Sequence, residues 1–328
     1  MNGTLTDVAG LTVGHWTDRE AVTGCTAVLC GPEGAVAGVD VRGSAPGTRE
    51  TDLLAPVNAV QRIHAVVLSG GSAYGLDVCC GAMRWLEGHG RGVLVGPWRV
   101  PLVCGAVLFD LQIGRGDVRP AAAAGEAACQ AASPAAVVQG SVGAGTGATV
   151  GKLLGFECAT KSGIGSASLR LSSGVIVAAL VAVNSAGDVI DPASGAVLAG
   201  SRSPAGGFTR TADWLRWHAG PRVGLGGSTT LAVVATDAEL TKVEAAKVAQ
   251  MAHDGLARTI DPVHTMVDGD TVFALATGAA GVSADVTAVG AAAATVLAQA
   301  VIAAVRTATG LGGVPSVHEF PAGTGSAP

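Results

Sequence analysis

The sequence predicts a layered α/β or α+β fold. Short apolar segments of strand character alternate in blocks with long helical ones. Gly and Ala dominate a composition that is about half apolar with few charges and very few aromatics, which suits close-packed layers joined by tight turns. No Pro/Ser linker or charge block divides the 328 residues, a length that such folds reach as one unit.

The elements follow in order. Residues 5–40 alternate apolar runs with Gly-containing turns, as strands and hairpins do. Residues 42–50 form a loop dense in turn residues and charge. Residues 52–62 read as a helix. Residues 65–68 are a short buried strand that runs into Ser69-Gly70-Gly71-Ser72-Ala73-Tyr74-Gly75 and a helix through Leu86, with a second strand at 92–96. An Ala-rich helix over 120–132 precedes a Gly-rich loop over 138–152, and 174–184 contains a buried strand. Residues 201–223, with Trp214 and Trp217, are the most loop-like stretch. Gly224-Leu225-Gly226-Gly227-Ser228 then enters an apolar strand over 229–236. Leu240, Val243, Lys247 and Met251 lie near helical spacing and mark an amphipathic helix over 239–257. A strand at 271–277 and a long helix at 284–307 complete the chain, and no internal repeat is visible.

Composition also excludes function classes. The net charge is −5, without the basic stripe of a nucleic-acid binder. The seven Cys, an odd number without a CxxC, read as buried free thiols in a reducing compartment, so a cytoplasmic protein is expected. The seven His form no HxxxH-type pair, and neither a metal nor another cofactor is expected. The N-terminus lacks the basic start and apolar run of a signal peptide. Residues 284–305 are apolar enough to raise the question of a membrane. They carry Asp285, Thr287, Thr295 and Gln299, and a buried core helix is the expectation.

Four motifs carry possible chemistry. In Gly226-Gly227-Ser228-Thr229-Thr230, hydroxyl residues sit where a Gly-rich loop enters a strand. Alone this is an ordinary junction. Read functionally, it is an N-terminal nucleophile: the hydroxyl attacks the preceding carbonyl, water releases the ester, and the freed α-amine, of pKa about 7.7–8.0, serves as the base. Asp268-Gly269-Asp270 is either a solvated turn or a pair of carboxylates that orients a proton network or binds a cation. The run from Gly143 to Lys152 matches the loose pattern G-x-G-x-x-A. It lacks a clear preceding Rossmann strand and an acidic ribose partner. It also fails as a P-loop, with Thr146 where Gly is needed and Leu153 where Ser or Thr is needed. Its Lys152 suits a buried site that needs positive charge. Ser69 to Gly75 either cradles an anion at a helix start or lets the helix pack tightly on the sheet.

Together these segments are far more specific. With Thr6-Asp7-Val8, Val13-Gly14-His15-Trp16, Thr23-Gly24-Cys25-Thr26, Asp40-Val41-Arg42-Gly43 and Pro46-Gly47-Thr48-Arg49-Glu50-Thr51-Asp52, they occur in one order along nearly the whole chain. Gly70-Gly71-Ser72-Ala73-Tyr74-Gly75-Leu76 and Ala235-Thr236-Asp237 extend the series. In this the chain resembles the DmpA-type L-aminopeptidase/D-esterases, and their nylon-oligomer hydrolase branch in particular.

The resemblance implies an α+β, four-layer αββα sandwich like that of N-terminal-nucleophile hydrolases, with the connectivity shared by DmpA and the ornithine acetyltransferases. It implies one hydrolase domain over 1–328, self-cleaved into an α chain of 1–228 and a β chain of 229–328. Thr229 falls on the nucleophile, Lys152 on the lysine of the Gly-rich loop, and Asn184, closing a strand, on an oxyanion donor. Asp268 and Asp270 fall on acids that anchor the α-ammonium or Lys152. Tyr74 and Ser72 fall on the substrate-binding turn. One departure concerns the cut: Ser228 stands where the nylon-hydrolase pattern has Asn and the aminopeptidases have Gly. Cleavage at Gly227–Ser228 is the alternative, although the register to Thr236-Asp237 favours Thr229. The implied activity is hydrolysis of small amides or peptides, with polyamide oligomers among the family's substrates. The alternatives are an acyltransferase resembling the ornithine acetyltransferases and a binding protein that never cleaves. A homo-oligomer, a tetramer of αβ units, is expected from the family and from the apolar 284–305 helix; neither a nucleic acid nor a membrane is expected as a partner.

Overall fold

The computed structural model describes residues 3–218 and 227–320. Gly224, Leu225 and Gly226 of the Gly-rich entry, and the end of the 201–223 stretch, lie outside the described residues. In chain order, the strands of the two large sheets are β1 (Thr12–Asp18), β2 (Thr23–Leu29), β3 (Ala35–Val41), β4 (Gly47–Arg49), β5 (Arg62–Ile63), β6 (Ala65–Ser69) and β7 (Val103–Val107). They continue with β8 (Ile164–Arg170), β9 (Ile176–Asn184), β10 (Thr229–Thr236) and β11 (Thr271–Ala276). The helices are α1 (Val78–Gly88), α2 (Ala122–Gln130), α3 (Thr211–Trp217), α4 (Lys242–Thr259) and α5 (Val286–Thr307). One sheet has the order β1-β2-β6-β7-β4 and the other β8-β9-β10-β11-β3-β5. The pairs β6/β7 and β10/β11 are parallel, and the other neighbours in both sheets are antiparallel.

Strand periodicity explains the layers. Along β10, Leu231, Val233 and Ala235 face the other sheet, where they meet Val66, Leu68 and Ala106 in one core. The alternate residues Ala232 and Val234 face α4 and α5, packing with Leu256, Val296 and Val301. On the five-stranded sheet, Ala65 and Val67 turn outward to α1 and α2 and meet Cys79, Leu86 and Ala128. Both faces of each sheet are therefore covered, and the central strands read as continuous apolar runs. The result is a four-layer αββα sandwich of the α+β class. Glycines bring the layers close: a Cβ on Gly165 of β8 would overlap the Ala300 carbonyl of α5, and one on Gly14 of β1 the Ala128 carbonyl of α2. The helix α5 is long and apolar enough to cross a bilayer by length and composition alone, and most of its apolar stretch is buried against α4, β8 and β9.

The structure corrects several expected elements. Residues 52–62 form no α-helix but a 3₁₀ turn, Asp52–Leu54, and then lead into β5, because Pro56 drives Ala55 into an extended conformation at ψ 135°. Residues 93–95 are a strand, but in an exposed hairpin with Trp98–Val100, and the sheet takes β7 instead. The edge strand β8 was not foreseen. The 201–223 stretch contains two short strands and α3.

Candidate active site

Three strand ends converge by topology. Because β9 runs antiparallel to β10, its last residue, Asn184, lies opposite the first, Thr229. Because β11 runs parallel to β10, the segment that leads into it lies beside the start of β10, and Ser228 bridges to Asp268. The Ser228–Thr229 peptide bond is thus buried among residues from three strands.

Its carbonyl oxygen accepts two hydrogen bonds, one from the Thr229 hydroxyl at 2.5 Å and one from the Gly269 amide at 3.0 Å. Of the two hydroxyls at the junction, it is that of Thr229 that lies on the preceding carbonyl. The Ser228 Oγ is buried and has no hydrogen-bond partner among the described residues. Gly269 must be glycine here: a Cβ would sit 2.6 Å from the Ala45 carbonyl oxygen and 2.8 Å from Thr229 Oγ1.

Lys152 closes the site from the Gly-rich loop. Its ammonium group donates to the Asn184 carbonyl (3.0 Å), to Asn184 Oδ1 (2.8 Å) and to the Gly227 carbonyl (3.1 Å). Burial pushes its pKa down to about 7, against the opposing pull of Asp268, Asp110 and Asp270. Asn184 Oδ1 also accepts from the Thr149 amide, so the two donors fix which end of the side-chain amide is oxygen. Nδ2 then donates one hydrogen to the Phe109 carbonyl and keeps a second for another acceptor.

Asp268 and Asp270 are buried, not solvated. Asp268 accepts from the Ala186 amide and from the amide and hydroxyl of Thr265, and Asp270 from the Thr230 amide at 2.7 Å. Burial, then the neighbouring Asp270, raises the Asp268 pKa to about 6. Neither carboxylate is hydrogen-bonded to Lys152; they act on it through space.

Residues 3–318 match peptidase family S58. The chain belongs to this family. An S58-type hydrolase of peptide or other amide bonds is what the relatives support. An uncharacterized aminopeptidase of Mycobacterium tuberculosis is 44% identical, over 98% of this chain and 99% of its own. A 6-aminohexanoate-oligomer endohydrolase of Paenarthrobacter ureafaciens is 33% identical over 83% and 74%. Among solved structures, the L-aminopeptidase D-Ala-esterase/amidase of Ochrobactrum anthropi, a variant of the Ntn-hydrolase fold, superposes with a TM-score of 0.70. It is 19% identical and covers 99% of this chain and 92% of its own, so it establishes the fold. This S58 chain shares that architecture.

Thr229, Lys152, Asn184, Asp268 and Asp270 come together around the Ser228–Thr229 bond. Ser72 and Tyr74 lie on a 3₁₀ turn after β6. Tyr74 is exposed and its ring carries the Arg119 guanidinium at 3.9 Å. The turn is tied to the site through Asp110, which accepts from the Gly71 amide and the Thr23 hydroxyl at 2.7 Å each and follows Phe109 in sequence. Asp110, Lys161, His264 and Gly269 were not singled out from the sequence. Lys161 is buried beneath the Gly-rich loop and donates to the Gly145 and Ala148 carbonyls. For Gly269 the signal was present, a glycine held between two acids. The others are lone residues without a motif.

Proposed function

We propose that the chain cuts its own Ser228–Thr229 bond and then hydrolyses short peptides and small amides with Thr229 as N-terminal nucleophile. The observation that carries this reading is the Ser228 carbonyl held between the Thr229 hydroxyl and the Gly269 amide. Thr229 Oγ1 attacks the carbonyl carbon, and the oxygen that becomes negative already faces the Gly269 N–H. The C–N bond breaks, the Thr229 nitrogen takes up the proton, and the Ser228 acyl group is left as an ester on Oγ1. Water hydrolyses the ester, giving the Ser228 carboxylate and a free α-amine on Thr229. In turnover that amine accepts the Oγ1 proton, the substrate acyl group moves to Oγ1, the leaving amine takes the proton, and water then hydrolyses the ester to release the acid and restore the Thr229 hydroxyl. The remaining Asn184 Nδ2 hydrogen suits the substrate oxyanion. Lys152, its pKa lowered by burial to about 7, can gain or lose a proton near neutrality while it stays hydrogen-bonded to Asn184 and the Gly227 carbonyl.

The near full-length likeness to aminopeptidases favours short peptides with a free amino end, and the more distant endohydrolase likeness makes 6-aminohexanoate oligomers the second substrate to try. The same reading includes a homo-oligomer of αβ units. Mass spectrometry and N-terminal sequencing test the core of it. Two chains are expected, the smaller beginning Thr-Thr-Leu-Ala. A start at Ser228 would move the nucleophile, and an active protein of one uncut chain would overturn the mechanism. Acetyl transfer to an amino acid faster than hydrolysis would replace the hydrolase by an acyltransferase.

A further inference from the structure

We infer that His264 is a positioning residue of this site, holding the Asp270 carboxylate that fixes the start of β10. The inference rests on the reading of Thr229 as nucleophile. Asp270 Oδ1 accepts from the amide of Thr230, the residue next to Thr229, while Oδ2 accepts twice from His264: from its backbone amide at 3.2 Å and from Nδ1 at 2.8 Å. Asp270 is therefore a strut with the nucleophile strand at one end and His264 at the other.

Backbone geometry supports the assignment independently. His264 adopts φ +55°, a left-handed conformation that is uncommon outside Gly and is reached most often by Asn, Asp and His. This conformation lets both the main-chain and side-chain donors of one residue reach a single carboxylate oxygen.

The ring's surroundings fix its role. Nδ1 carries the hydrogen that faces Asp270. The ring meets that of His253 edge-on at 4.8 Å, and His253 Nε2 is 3.0 Å from the Asp40 carbonyl, an acceptor. Asp40 in turn pairs with Arg42 at 2.8 Å, and the Arg42 amide donates to the Asp270 carbonyl. The groups around His264 are thus Asp270 and His253, with Asp40 and Arg42 behind His253. Burial drives His253 toward its neutral form.

The left-handed backbone makes a clean test possible, because Asn, Gly and Asp all tolerate it. His264→Asn keeps a side-chain donor for Asp270, His264→Gly removes it, and His264→Asp replaces it with a like charge. The rate of self-cleavage, read by mass spectrometry on freshly purified chain, needs no external substrate; kcat and KM on L-alanine p-nitroanilide give a second readout. Cutting and kcat are expected to fall in the order Asn, Gly, Asp. His264→Gly should be roughly 10- to 100-fold slower than His264→Asn, with KM little changed, as expected for a displaced nucleophile. The inference is overturned if His264→Gly matches the native rate, if His264→Asn is no faster than His264→Gly, or if the rates merely track the melting temperatures. Should His264→Gly fail to fold, the near-isosteric Asn and Asp variants still decide it, equal rates overturning it. A native protein that remains one chain would instead remove the nucleophile reading itself.

Discussion

Asn184 does several things with one side-chain amide: it receives Lys152 and the Thr149 amide on its oxygen, grips Phe109 with one N–H and keeps the other. Asn184→Ala should therefore fold with a lowered melting temperature, since two buried donors lose an acceptor, and kcat should drop by about 10²–10³ as an oxyanion donor is lost. Thr229→Ala should stay at full length and turn over nothing. Lys161 supports a prediction about pH. Burial lowers its pKa to about 7, below the ordinary lysine value. Between about pH 7 and 10 the unfolded chain therefore holds a proton that the folded chain does not, and stability rises with pH across that window. In Lys161→Met the rise in melting temperature from pH 7 to pH 10 should be smaller than in the native protein; an equal rise would show that Lys161 does not titrate there. Thr229, Lys152, Asp268 and Asp270 were nameable as candidates because each belongs to a run of distinctive residues, and Asn184, at the end of an ordinary apolar strand, only through the family resemblance. What each one touches was not, because Lys152 reaches Gly227 and Asp268 reaches Ala186 across 75 and 82 residues of chain. His264 and Asp110 carried no local pattern at all.

Among the elements, edge strand β8 and helix α5 depend on Gly165, since a methyl group there would run into the Ala300 carbonyl. Gly165→Ala should lower stability by about 1–3 kcal/mol, read as a lower urea midpoint at unchanged slope. A neutral result would mean that α5 shifts freely. The long helices and the strands around the site were legible because their apolar runs are long and continuous. The misreadings have local causes. Leu53, Leu54 and Val57 gave residues 52–62 an apolar look, but Pro56 ends any helix there. Val93, Leu94 and Val95 look like a core strand and instead form an exposed hairpin, while the buried β7, with Cys104 and Gly105, looks weaker. Strand β8 is interrupted by Gly and Ser, whose small size is what lets α5 approach.

For the whole molecule, the apolar α5 is not the surplus surface that the sequence suggested, because the four layers hide most of it. The total accessible surface, 12681 Å², is close to the ~12,200 Å² expected of a compact 32.0 kDa monomer. Among the described residues, the 93–100 hairpin carries the densest run of exposed apolar side chains, with Leu94 64% and Trp98 69% exposed. If symmetric assembly covers it, native protein should run at two or four times the chain mass, and Leu94→Asp with Trp98→Ser should reduce it toward 32.0 kDa in light scattering. An unchanged assembly would place the contact elsewhere. The order of the six-stranded sheet has one more consequence. A cut before Thr229 puts β10 and β11 on the short fragment, with β9 of the long fragment on one side and β3 on the other. The short fragment is clasped within a sheet it did not build alone, so the two pieces should stay together through purification without a covalent link. Denaturation is where they part. The uncut Thr229→Ala chain refolds as a single molecule, whereas the matured enzyme must find its other half, and its recovery from urea should fall on dilution. Maturation would thereby turn a reversible fold into one assembled once.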